Sequence, residues 1–167
     1  MDDPFEPAAV EFTLKDYKME RMILSPNHWA AFACPIDLVW EPIRFAEECV
    51  NQVPNNERGV YSFVVKPGIA NHPHCSYLLY IGKVKDQAFR ARYRQYLHEQ
   101  QKGQDARRVH VSRMLQKWDG HLWFCYAPIE NEELIGAVED ALLAAYLPSH
   151  NRTFPSHVRY DLKSTLE

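Results

Sequence analysis

The sequence contains no apolar run approaching the roughly eighteen residues that a membrane-crossing helix requires, so no span is expected. Its opening stretch, MDDPFEPAAVEF, is acidic and lacks the basic-then-apolar order of a secretory leader. The four cysteines, Cys34, Cys49, Cys75 and Cys125, are scattered and include no CxxC pair. Reduced thiols in a cytoplasmic protein are therefore expected, rather than a disulfide framework or a zinc site. No internal repeat or low-complexity tract interrupts the 167 residues, which points to one domain with an accessory segment. The histidines His98, His121, His150 and His157 have no ligand-set spacing.

What is present is a globular composition, 46% hydrophobic and 13% aromatic, with an uneven charge. Between Lys83 and Lys117 stand ten basic residues: Lys83, Lys85, Arg90, Arg92, Arg94, Lys102, Arg107, Arg108, Arg113 and Lys117. Only Asp86, Glu99 and Asp105 oppose them, so this segment carries +7 in a chain of net charge −3. A basic block in an otherwise acidic protein implies a polyanionic partner met by one face, nucleic acid first among them.

Turn chemistry and periodicity divide the chain. Phe12–Leu14 reads as a short strand and Lys15–Ile23 as a helical turn or two. Helical spacing of apolar residues from Asp37 to Val53 predicts a helix, capped by Asp37 and ended by Pro54-Asn55-Asn56. Strands are predicted over Gly59–Val65, Ser76–Gly82 and His121–Ala127, where β-branched and aromatic residues concentrate. Helices are predicted over Asp86–Gln101, Ala106–Trp118 and Asn131–Tyr146, the last stopped by Pro148. The loop Ile69–Cys75 holds His72, His74 and Cys75, too crowded for a metal site, and reads as an exposed connection. The expected architecture is α+β: a three-stranded antiparallel sheet flanked by helices over residues 59–167, behind an N-terminal extension of residues 1–58.

Hairpin strands lie side by side, so Tyr61 and Tyr80 are expected on one face, within reach of the arginines that follow. Glu139 lies inside the last helix, and Asn151 follows twelve residues on, just past Pro148. Alone, each has a bland reading as a half-buried strand tyrosine, a solvated glutamate or a loop asparagine.

Together these residues resemble the GIY-YIG nucleases. Gly59-Val60-Tyr61 stands where that family has G-I-Y, and Tyr80-Ile81-Gly82 is the Y-I-G element itself. Phe89, Arg92, Tyr93 and Tyr96 match its helix pattern, and Glu139, Pro148 and Asn151 match its closing glutamate, proline and asparagine. The resemblance covers Gly59 to about Arg152. The gap from Gly82 to the helix arginine is longer than in the family by about two residues, which leaves Arg90 as a rival to Arg92. A further basic residue or histidine near the second helix would be Arg107, Arg108 or His110.

The resemblance implies a metal-dependent endonuclease that hydrolyses DNA, with RNA not excluded, and a homodimer or partner protein to supply specificity. Glu139 would hold Mg²⁺, with Mn²⁺ able to substitute, and Arg92 would bind the scissile phosphate. Tyr61 would act as general base if a neighbouring cation lowers its pKa from about 10. Tyr80 and Tyr96 would orient phosphate or water, and Asn151 would position the active-site backbone or Glu139. Lys83, Lys85, Arg90, Arg94, Arg107, Arg108 and Arg113 would contact nucleic acid. The competing expectation is a nuclease-like module that binds nucleic acid or a protein without cutting.

Overall fold

The structure is a computed structural model that describes residues 17–68 and 74–158. The strand expected at Phe12–Leu14 and the loop histidine His72 lie outside the described residues.

Four antiparallel strands form one sheet: β1 Glu41–Arg44, β2 Gly59–Val65, β3 Tyr77–Val84 and β4 Leu122–Pro128, in the order β1-β4-β2-β3. The helices are α1 Pro26–Ala30, α2 Phe89–Lys102, α3 Val109–Lys117 and α4 Leu134–Tyr146. The fold is α+β as expected, but with four strands rather than three. The extra strand comes from the segment expected to be helical. Ile43 and Phe45 are buried while Arg44 between them is exposed, a period of two rather than 3.6. Pro42 has no N–H to give a helix, and it is tolerated here because β1 is an edge strand. The rest of the segment closes into a short 3-10 turn, Glu47–Gln52. The boundary expected at residue 58 thus falls between two strands of one sheet. The described part of Lys15–Ile23, also expected to be helical, carries no regular structure.

The sheet separates two apolar layers. On one face α2 and α3 pack over Tyr61, Phe63, Leu79, Phe124 and Tyr126 with Phe89, Tyr93, Tyr96 and Met114. On the other, α4 lays Ile135, Val138 and Leu142 against Val60, Ile81 and Ala127. Full burial of each large side chain contributes about 2–3 kcal/mol. No helix among the described residues is long and apolar enough to cross a membrane.

Two glycines set the spacing of the central hairpin. Gly59 has φ 149°, and a Cβ there would collide with the Ala127 carbonyl and lie 3.0 Å from the Ile129 nitrogen. A Cβ on Gly82 would lie 2.6 Å from Cζ of Tyr61, because the phenol crosses the strand at that residue. The first and last letters of the two motifs are therefore packing requirements. A register shift between Phe63 and Val64 opposes Phe63 to Tyr80 but Val64 to Leu78. Leu79 is the extra residue of this bulge, so Leu79 and Tyr80, adjacent in sequence, both pack on the α2 side.

Candidate active site

Edge strand β3 is the axis of the site. Its outer backbone edge is closed by the turn after α4. Asn151 makes a two-bonded clamp on Ile81, accepting from its N–H at 2.9 Å and donating to its carbonyl at 2.8 Å. The His150 N–H donates to the Leu79 carbonyl at 3.0 Å. Asn151 thus holds the Y-I-G backbone in the manner of a neighbouring strand, the positioning role expected of it.

On the α2 side, three phenols meet. Tyr61 and Tyr96 hydroxyls are 2.6 Å apart, and the Tyr80 ring lies edge-on to that of Tyr96, their centroids 6.3 Å apart. Tyr61 is 2% exposed and stacks on Phe124. Arg108, at the start of α3, donates to the Tyr96 hydroxyl at 3.2 Å and lies over its ring. Glu99 fixes that guanidinium, accepting from Nε and Nη2 on one carboxylate oxygen at 3.0 and 2.9 Å. The Glu99 backbone is tied in turn by Ser112.

Burial pushes the Tyr61 phenol well above its ordinary value, reinforced by Tyr80, and the opposing charges of Arg92 and Arg108 do not offset it. Tyr80 and Tyr96 are pushed up in the same way, burial again being the largest cause. The condition set for base catalysis, a Tyr61 pKa lowered by a neighbouring cation, is not met in this state: Arg92 and Arg108 act in that direction, but burial outweighs them. Burial opposes the charge on Arg108, yet Tyr96 and Glu99 more than offset it and raise its pKa.

On the α4 side, Glu139 accepts a 2.7 Å ion pair from Lys83, with side chains 15% and 42% exposed. Burial raises the Glu139 pKa despite Lys83. A cavity of about 390 Å³ joins the two sides, lined among others by Tyr80, Lys83, Arg108, His110, Glu139, Asp140, Asn151 and Arg152. Burial, followed by the charges of Arg152 and Arg108, lowers the His110 pKa.

The cavity fits one hard divalent cation. Among the described residues no group of three or more His, Cys, Asp and Glu forms a closed ligand set. Glu139, with Asp140 beside it on an open wall, offers what an ion that keeps most of its waters requires.

Tyr61, Tyr80, Tyr96, Glu139, Asn151, Lys83 and Arg108 are thus brought together. Arg92 does not line the cavity; its charge bears on Tyr61, and its guanidinium donates to Gln95 at 3.0 Å. Arg90 faces elsewhere, donating to the Val53 and Asn51 carbonyls at 2.7 and 3.0 Å. Arg94 borders a separate hollow beside Glu47 and His98. Lys85 and Arg107 are exposed outside the cavity wall, and exposed Arg113 pairs with Gln104. Sequence reasoning missed Glu99, Asp140 and Arg152. Glu99 carried one signal, its place three residues after Tyr96 on the same helix face. The chain matches no protein-family model, no curated protein and no solved structure.

Proposed function

We propose that the chain is a metal-dependent endonuclease of the GIY-YIG type, acting on the phosphodiester bonds of DNA. One observation carries the reading. Five of the six residues expected to be catalytic, drawn from β2, β3, α2, α4 and the turn beyond it, converge around one edge strand beside a cation-lined cavity. A solvated glutamate and ordinary strand tyrosines have no reason to do so.

A divalent cation at Glu139 would supply charge stabilisation to the phosphoryl oxygens and the leaving oxygen. The chain's own groups divide the remaining work. Arg108, held in place by Glu99, presents a guanidinium to the phosphate, and Arg92, outside the cavity wall, adds positive potential at Tyr61. Tyr80 is the phenol on the cavity wall and orients phosphate or water. Tyr61 braces Tyr96 and Tyr80 from behind. Base catalysis by Tyr61 requires the loaded site to lower its pKa against the effect of burial. Asn151 fixes the strand that carries Tyr80 and Lys83.

A second reading, a nuclease-like module that binds nucleic acid without cutting, is favoured by two specific observations. Tyr61 is protonated and Glu139 is already paired with Lys83. Plasmid nicking in Mg²⁺ separates the two. The expected result is nicking by the wild type that is lost in Glu139→Ala and strongly reduced in Arg92→Ala. Undiminished nicking by both variants overturns the site. Absence of cleavage on every DNA and RNA tested, with binding retained, favours the second reading.

A further inference from the structure

We propose that Lys83 is a built-in stand-in for the divalent cation at Glu139, and that it yields its place by exchange when the metal enters. The inference rests on the metal-dependent reading above and concerns how that same site is regulated.

Three observations carry it. First, the Lys83 ammonium sits 2.7 Å from Oε2 of Glu139, within the volume that a cation bound to that oxygen would need. A carboxylate as enclosed as Glu139 needs a positive partner, and Lys83 supplies it in the unloaded protein. Second, Lys83 is free to leave. Its side chain is 42% exposed, and the neighbouring turn of α4 carries Gly136, where an added Cβ would meet only the Lys83 Nζ, at 3.9 Å. The helix therefore leaves open space beside the ammonium. Third, Lys83 has somewhere to go, because it lines the same cavity as Arg108, Arg152 and Tyr80, where a phosphate would lie.

The Arg108–Glu99 pair shows what a fixed pair looks like in the same protein. Both nitrogens of its fork are engaged, and Ser112 ties the Glu99 backbone. The Lys83–Glu139 pair has a single contact and a flexible stem. Exchange also couples the two ligands. A divalent cation takes the carboxylate and a phosphate takes the ammonium, so each makes the pair easier for the other to open.

The test is isothermal titration calorimetry with Mn²⁺ alone, on the full chain, for the wild type, Lys83→Gln, Lys83→Arg and Glu139→Gln. Lys83→Gln is expected to bind Mn²⁺ about tenfold more tightly than the wild type, because competition and like-charge repulsion both disappear. Lys83→Arg, which keeps the charge, is expected to stay within about twofold of the wild type, and Glu139→Gln to lose the site. Lys83→Met gives the same readout if the glutamine variant folds poorly. Equal or weaker binding by the neutral variants, with the site still lost in Glu139→Gln, overturns the exchange and leaves the metal site standing. Absence of Glu139-dependent binding in every protein, the neutral variants included, overturns both.

Discussion

On one side of edge strand β3, the rings of Tyr61, Tyr80 and Tyr96 cluster and the Tyr61 and Tyr96 hydroxyls meet beneath an anchored Arg108; on the other, a half-exposed Lys83 pairs directly with Glu139. The first side is dry and rigid. Its rings pack edge-on and stacked with Phe63 and Phe124, and its guanidinium is held by a carboxylate of its own. Among the described residues, the second side has one ion pair between a strand and a helix, and the lysine has no further fixing group. On the proposed reading, the tyrosine side serves shape and the glutamate side ligand exchange. A preformed wall costs little reorganisation when charge develops, whereas a metal position must open and close.

The largest expected asymmetry is in alkali. Tyr61, Tyr80 and Tyr96 are held protonated well above the ordinary phenol value, and Tyr93 is pushed up to about 12 by burial. In the unfolded chain each phenol ionises near pH 10. Above that pH the folded state retains more protons, so stability present at neutral pH is lost as pH rises. The three clustered phenols alone give a slope of about 4 kcal/mol per pH unit. Urea midpoints measured across that range will show it, and Tyr61→Phe should flatten the slope by about a third. A midpoint flat from pH 10 to about 12 would contradict the closed phenol cluster.

Next comes Gly82→Ala. The new methyl meets the Tyr61 ring, itself wedged against Phe124, so neither can yield easily. A loss of about 3 kcal/mol in chemical denaturation is expected, together with cleavage. A loss below about 0.5 kcal/mol would mean the tyrosine side is softer than described.

Two neighbouring arginines sharpen the comparison further. Arg90 braces the 3-10 turn and the loop after it through two carbonyls, whereas Arg92 donates to Gln95 and its charge bears on Tyr61. Arg90→Ala should cost about 1–2 kcal/mol of stability and leave cleavage within about threefold. Arg92→Ala should do the reverse, with cleavage falling by at least about a hundredfold and little change in the denaturation midpoint. Exchanged phenotypes would move the functional arginine to Arg90.

The smallest effect belongs to the glutamate side. Lys83→Gln removes an ion pair with a half-exposed lysine and should change stability by less than about 1 kcal/mol. A loss comparable to that of Gly82→Ala would make the pair a structural brace and erase the contrast.

Much of this arrangement was legible in the residues. β2 was read at its observed limits, and β3, β4 and the three long helices to within a few residues, because their apolar periods are clean and Gly, Pro and Asn punctuate them. Tyr61 and Tyr80 were placed on one face by pairing alone, and Asn151 was given a backbone-positioning role that its clamp on Ile81 fits. Strand β1 was hidden because Leu38, Val39, Ile43, Phe45 and Ala46 satisfy helical spacing nearly as well as alternation, and only the pairing with β4 decides between them. The bulge at Leu79 leaves no mark in composition. Arg108 could not be singled out from Arg107 and His110, since its selection depends on Glu99, a contact set by how α2 and α3 pack. Whether a cation lowers the Tyr61 pKa stayed a condition in the sequence, because charge can be counted there, while burial, the larger cause here, cannot.

The most direct test of the central claim, that β3 organises a metal-dependent cleavage site, is the single-turnover cleavage rate of wild type and Glu139→Gln on one labelled DNA in Mg²⁺. The account predicts a rate at least about a thousandfold lower in the variant, with an unchanged or slightly raised melting temperature because a buried carboxylate charge is removed. Equal rates in the two proteins would contradict it.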